Sequence, residues 1–215
     1  GKTKFDEGIS FIKELPEAQV SRIYIDNSGN VWVAIDGWGL YVIDPVTDKV
    51  VMHFGSKEPE GRKLPDDIVR GILQYNDSLV LLLSNGIHIY HNRQQRIIAS
   101  VGSAEATFGP AVSIEKDRFG YVWLSGVSGI YRVNIFSRIF IGFSRVDGIA
   151  NDYFIISPSL TLPDGRMLFG ADNQFVAFDP SKVQINDMAP PVVLTGFSLM
   201  NKALLVDSLR QLNRV

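Results

Sequence analysis

Apolar residues fall along this chain in short unbroken runs, not in a helical three-four rhythm. Val31-Trp32-Val33-Ala34-Ile35 is apolar at every position, with Asp26-Asn27-Ser28-Gly29 ahead of it and Asp36-Gly37-Trp38-Gly39 behind. Leu40-Tyr41-Val42-Ile43 comes next and stops at Asp44-Pro45. Runs this short between glycine-containing turns predict strands, and apolar side chains at successive positions predict strands covered on both faces. The turn chemistry agrees: a short polar side chain such as Asp26 can hydrogen-bond the local backbone, and Gly29 can take a positive φ without steric cost. Asp26 to Pro45 therefore reads as a hairpin. A lone hairpin is marginal in water, so this one needs neighbours.

The neighbours are copies of itself. GNVWVAIDGWGLYVID (Gly29 to Asp44) is followed by a more degenerate SLVLLLSNGIHIYHN (Ser78 to Asn92). GYVWLSGVSGIYRVN (Gly120 to Asn134) and GRMLFGADNQFVAFDP (Gly165 to Pro180) complete the series. The residue opening the closing strand is Gly39, Gly86, Gly129 or Gln174, at separations of 47, 43 and 45. Each copy is preceded by an inner-strand pattern: Arg22 to Ile25, Val69 to Leu73, Ala111 to Ile114 and Ser159 to Leu162. The first three are followed by an outer one: Val50 to Phe54, Ile97 to Ser100 and Phe140 to Phe143. A period near 45 residues with about four short strands per unit is the pattern of a β-propeller blade. The fold class is thus all-β: about four blades of four antiparallel strands, expected as an open fragment of a larger propeller whose exposed blade faces favour dimerisation. Small residues two places beyond the tryptophan position (Ala34, Ser125 and, by alignment, Gly170) suit the narrow inner end of a blade, and Leu82 breaks that pattern.

Domain organisation follows. Residues 1–18 contain Ile9 to Lys13, which reads as the outer strand of a preceding blade, and a linker; residues 19–186 hold the four repeats. Residues 187–215 begin with the stiff Asp187-Met188-Ala189-Pro190-Pro191 linker and continue into Val192 to Leu199, expected as the first strand of a further, truncated domain.

Composition narrows the function classes. The 215 residues carry a net charge of −2, which gives no basic footprint for nucleic acid and no polybasic membrane patch. The longest aliphatic run, Leu79 to Leu83, is far short of the roughly 20 residues of a membrane helix. Gly1-Lys2-Thr3-Lys4 does not read as a signal peptide. The absence of cysteine excludes disulfides, thiolate metal sites and cysteine nucleophiles.

Candidate chemistry is sparse. His88 and His91 project to opposite faces of a strand and His53 lies in another repeat, so no metal site and no cofactor is expected. Asp66 and Asp67 are adjacent and divergent; turn formation accounts for them, as for Asp26, Asp117 and Asp164. No Gly-x-Ser-x-Gly elbow or phosphate-cradling glycine loop occurs. Trp32 and Trp123 are expected in the core. Trp38 differs, because a large aromatic between two turn glycines has no evident core to fill. It would offer either a stacking platform for a sugar ring or a packing contact on the next blade. Tyr153 and Phe154 pose the same choice. The inner strands supply Arg22, Arg70 and Glu115 but little else ionisable, which argues against a catalytic channel of lactonase or lyase type.

The Asp-x-x-Gly-x-x-Trp pattern followed by a Gly-Leu or Gly-Ile strand, in DNSGNVWVAIDGWGLYVID and DRFGYVWLSGVSGIYRVN, resembles the regulator-propeller repeats of Bacteroidetes hybrid two-component sensors. LPDDIVRGILQYNDSLVLLLSNGIHIY matches more loosely. ANDYF with LPDGRMLFGADNQFVAFDP is similar to that family's last blade, and APPVVLTGFSLMNKAL to the opening of the triple-tyrosine, immunoglobulin-like domain that follows it. The resemblance implies a periplasmic, non-catalytic sensor segment of an inner-membrane histidine kinase, acting in signal transduction through a phosphorelay. It implies an oligosaccharide or other small ligand, with membrane contact only through parts of the parent protein outside this chain. It carries over no binding residue. A propeller enzyme and a structural, protein-interaction propeller are the alternatives.

Overall fold

The computed structural model describes residues 14–102, 109–150, 153–154, 158–185, 197–199 and 202–204. Strands β1 (Val20–Ile25), β2 (Val31–Ile35), β3 (Gly39–Asp44) and β4 (Lys49–Phe54) form one antiparallel sheet in chain order. β5 (Gly71–Asn76), β6 (Leu79–Ser84), β7 (Gly86–His91) and β8 (Arg96–Val101) form the second. β9 (Ala111–Lys116), β10 (Val122–Gly126), β11 (Gly129–Asn134) and β12 (Ile139–Phe143) form the third. β13 (Ser159–Thr161), β14 (Met167–Gly170) and β15 (Phe175–Phe178) give the fourth, which has three strands among the described residues. The repeat is therefore a propeller blade, and the chain is an all-β propeller of four blades. One compact unit runs through Lys182; the second, from Val183, contains the short hairpin β16 (Phe197–Leu199) and β17 (Lys202–Leu204). The expected strand Ile9 to Lys13 and the proline linker lie outside the described residues.

Each blade has two faces, and strand alternation assigns them. Trp32, Ala34, Leu40, Val42 and Phe54 of the first blade pack with Val80, Leu82 and Tyr90 of the second. The opposite side of the second blade, Leu81, Leu83, Ile87 and Ile89, packs with Ile114, Val122, Leu124 and Val133 of the third. Trp123 then meets Phe178 of the fourth, their ring centroids 4.9 Å apart. Middle strands are thus sandwiched twice, which explains why their sequences are apolar throughout.

Two devices recur from blade to blade. The first holds the buried tryptophans. Asp26 Oδ1 accepts from the backbone N–H of Ser28 and Asn30, and its Oδ2 accepts the Trp32 indole N–H at 2.9 Å. Asp117 does the same for Phe119, Tyr121 and, at 2.8 Å, Trp123. These aspartates are buried, so the assignment to turn formation is incomplete: each also satisfies an indole that has left water. In the second blade Asn76 caps the turn alone, accepting from Ser78 and Leu79.

The second device is the glycine opening each closing strand. Gly39, Gly86 and Gly129 have φ of 81°, 107° and 122°. A β-carbon there would lie 2.1, 2.3 and 2.2 Å from the carbonyl oxygens of Phe54, Gly102 and Phe143, where the outer strand ends. The glycine makes room for the outer strand. Gln174 takes that position in the fourth blade, where no outer strand is present among the described residues.

The small-residue expectation needs one correction. The turn between β6 and β7 is the single residue Asn85, so the position equivalent to Ala34 and Ser125 is Leu83, not Leu82. Leu83 fits because its cross-strand partner is Gly71, where a β-carbon would stand 2.5 Å from Ile114 Cγ2. In the third blade the same pair is Ser113 and Ser125, their hydroxyls 2.5 Å apart.

The blades stand in a ring, since all four inner strands line one cavity. That corrects the expectation of an open fragment of a larger propeller: four blades are enough to surround the axis. On the two end blades, Ile23 and Ile25 on the first and Leu160 and Phe175 on the last are each more than half exposed, although Val33, Ile35 and Ile43 on the same face of the first blade are buried. The equivalent faces between successive blades are buried.

Asp117→Ala is expected to lower the unfolding free energy by about 3 kcal/mol in urea titration, because it orphans a buried indole and two backbone N–H groups. Gly86→Ala should cost at least about 2 kcal/mol through strain and collision with the Gly102 carbonyl, whereas Gln174→Ala should stay within about 0.5 kcal/mol of wild type.

Candidate functional site

Pairings Val20 with Ile35, Gly71 with Leu83, Ala111 with Gly126 and Ser159 with Phe169 set the start of every inner strand level with the turn of its middle hairpin. One end of the propeller therefore gathers the hairpin turns, including Trp38, and the mouths of the inner strands.

Trp38 is held by its backbone. Its N–H donates to the Ile35 carbonyl at 2.9 Å, and its own carbonyl oxygen lies 2.7 Å from His53 Nε2. The indole is 53% exposed. Around this turn the chain assembles a polar cluster from distant segments. His53 Nδ1 lies 3.0 Å from Glu58 Oε1, and the Tyr41 ring stacks on the imidazole at 4.2 Å. Asp67 accepts from the N–H and hydroxyl of Ser56 at 2.6 and 2.7 Å, and its carbonyl receives the Gly39 N–H. Burial and then the carboxylates of Glu58 and Asp67 push the Tyr41 hydroxyl above its ordinary pKa. Burial tends to raise Asp67, but the two Ser56 hydrogen bonds, with His53 and Lys57, leave it lowered. Sequence reasoning found Trp38 and missed this setting, since Glu58, Ser56 and Asp67 lie on the connection between blades, where spacing carries no structural period.

At the same end, the inner strands enclose a cavity of about 230 Å³ lined by Arg22, Tyr24, Arg70, Ser113, Glu115 and Ser159, among others. Arg22 bridges two blades, donating from Nε to the Arg70 carbonyl at 3.0 Å and from Nη1 to the Ser21 carbonyl at 3.2 Å. Glu115 Oε2 accepts the Thr161 hydroxyl at 2.9 Å. Among the described residues, no histidine or aspartate lines the cavity. A larger cleft of about 360 Å³ lies at the opposite end, between the first two blades, bordered by Asp26, Asp44, Trp32, Tyr90 and Asn92. Its carboxylates already serve the fold: Asp26 as described, and Asp44 by accepting from Val46 and Thr47. Burial, with Asp26 nearby, pushes the Tyr90 hydroxyl up to about 12.

The other aromatic candidates separate. Tyr153 is 50% exposed. Phe154 is fully buried, with its N–H donating to the Gly126 carbonyl, so its ring has no face to offer a ligand and it leaves the candidate set. No cluster of three or more metal-binding side chains occurs among the described residues. His88 packs inside the second blade, its Nδ1 2.8 Å from the Ser100 hydroxyl and its Nε2 buried without a partner.

Fold and geometry define the class: a propeller with an aromatic and ionic rim at one end, and a cavity there lined by arginines and a glutamate. Comparison with known proteins adds the particulars. No family model matches the chain. A histidine kinase of Formosa agariphila is 25% identical over 91 residues, spanning 42% of this chain and 7% of the kinase. The extracellular domain of a putative hybrid two-component system of B. thetaiotaomicron superposes with a TM-score of 0.61 at 14% identity, covering 86% of this chain and 27% of that one. The WD40 β-propeller domain of Doa1 superposes at 0.57 with 12% identity, over 75% and 50%. These likenesses show a propeller fold; the chain spans about a quarter of the sensor domain and a small fraction of the kinase. The fold is shared with the extracellular domain of that two-component system, and part of the sequence is similar to a histidine kinase. No helix among the described residues is long and apolar enough to cross a membrane.

Burial pushes His88 down to about 4 from its ordinary value of 6.5, with Asp66 opposing. A histidine buried neutral binds a proton more readily unfolded, so its contribution is complete above about pH 6.5 and is lost as pH falls toward 4. Unfolding free energy should drop by about 3 kcal/mol across that window. His88→Leu should flatten the pH slope between 6.5 and 4.

Proposed function

We propose that this chain is a non-catalytic, ligand-sensing propeller segment of a periplasmic two-component sensor whose parent protein is a histidine kinase. The observation that carries the reading is the indole of Trp38. It is exposed on a backbone held at two points, at the end of the ring where the cavity lies, in a fold shared with a two-component extracellular domain. An indole face stacks on the C–H face of a sugar ring, and the carboxylates and hydroxyls around it suit sugar hydroxyls, so the ligand is an oligosaccharide. Ligand binding at this rim would bias how the ring packs against the rest of the sensor, and so pass a signal toward the membrane. Residues 187–215 would then open the immunoglobulin-like domain connecting the propeller to the membrane helix. A cavity lined by Arg22, Arg70 and Glu115 supports sensing over hydrolysis, which calls for several converging acids and bases.

A protein-interaction role finds support in the exposed apolar faces of the two end blades, which suit association with a second copy.

Titration with an oligosaccharide library should give at least one ligand whose affinity falls about tenfold or more in Trp38→Ala, the loss expected for one stacked aromatic, while Tm is unchanged. Binding unaffected by that substitution would reject the rim site. Light scattering should show a dimer at high concentration that Ile23→Glu converts to monomer.

A further inference from the structure

The inner strands hold one strong donor that the fold does not use. Arg22 and Arg70 both reach the central cavity and both are half-buried, in a chain whose net charge is −2. Their roles differ. Arg22 is spent on structure, its Nε on the Arg70 carbonyl and its Nη1 on the Ser21 carbonyl, which ties the first inner strand to the second. Arg70 contributes its carbonyl to that tie and its N–H to the Leu83 carbonyl, so its backbone is fixed on both sides. Its guanidinium has no hydrogen-bond or salt-bridge partner among the described residues. Placing a cation in a partly enclosed cavity beside another is unfavourable unless an anion offsets it. The one carboxylate in the lining among the described residues, Glu115, already accepts from Thr161 Oγ1 across the third and fourth blades.

We propose that this cavity is an anion subsite: Arg70, with the remaining N–H groups of Arg22 beside it, receives a carboxylate or sulfate group of the ligand. A guanidinium presents its N–H groups as a planar fork that matches two oxygens of such a group, and this pairing is stronger than one between neutral partners. Ser159 supplies a further hydroxyl at the wall, and the Ser113 hydroxyl there is 2.5 Å from that of Ser125. Taken with the oligosaccharide reading, on which this identification of the ligand class rests, the preferred ligand is an acidic saccharide. Its charged substituent would enter the cavity while a sugar ring lies toward the rim.

Arg70→Gln is the decisive variant, because it keeps the Arg70 carbonyl and hence the Arg22 tie; an unchanged Tm without ligand checks this. Calorimetry would compare a trigalacturonic acid, its carboxyl-reduced neutral counterpart and inorganic sulfate, each against wild type, Arg70→Gln and Trp38→Ala. The expected result is binding of the acidic trisaccharide that weakens about tenfold or more in Arg70→Gln and weakens further with added salt. The neutral counterpart should bind more weakly and be indifferent to Arg70→Gln. Sulfate binding lost in Arg70→Gln, with neither saccharide bound, would uphold the anion subsite and reject the oligosaccharide reading. Equal binding of both saccharides, unaffected by Arg70→Gln, would overturn the subsite and leave the oligosaccharide reading standing. Failure of all three to bind would overturn the subsite.

Discussion

The structure depends on one constraint: a blade can bury an indole between two sheets only if something inside the blade answers its N–H. Asp26 and Asp117 do so, and because their other oxygen already closes the preceding turn, a single side chain locks turn, strand and inter-blade packing together. Phe54 and Phe143, the last residues of the outer strands, stack on those indoles at 5.8 and 5.7 Å. The same two residues place the carbonyls that exclude a β-carbon at Gly39 and Gly129. Aspartate, tryptophan, glycine and phenylalanine thus form one mechanical unit, and the repeat visible along the chain is this unit repeated. Where a member is missing, the blade compensates or changes: the second blade exchanges its small inner residue for Leu83 and removes bulk at Gly71, and the fourth, with Gln174, has three described strands.

The rigidity so obtained is what gives the rim its chemical character. Trp38 sits in the turn between β2 and β3 with its side chain 53% exposed, yet its backbone is pinned by Ile35 and His53. Loops between blades cross the same end and deliver Glu58, Ser56 and Asp67 to it. The first inner strand delivers Arg22, and the connection leading into the second delivers Arg70. A scaffold of strands held by packing, presenting polar groups from its connections, is the usual division of labour in propellers.

Strand positions could be read directly because a strand sandwiched on both faces leaves an unbroken apolar run, and because the turns between strands require particular residues. Val31 to Ile35 is predicted and found without a shift. The second inner strand begins at Gly71, not Val69, because Val69 and Arg70 belong to the connection crossing the rim. The Leu82 assignment failed for a related reason: a one-residue turn shifts the register, and alternation sends every side chain to the opposite face. Phe154 looked like Tyr153 in sequence, yet one is buried and the other half exposed, since adjacent residues of an extended segment point opposite ways.

The amino-acid sequence alone determined the period, the strand order within each blade and the residues that cap the turns, since all of these rest on interactions within about ten neighbouring residues or on a pattern that repeats. Which residues meet across blades was decided only in three dimensions. The tie of Arg22 to the Arg70 carbonyl and the engagement of Glu115 by Thr161 both join segments whose separation has no local signature. They exist because closure around an axis brings the start of each inner strand to a common mouth, and that convergence is a property of the ring, absent from any one of its repeats.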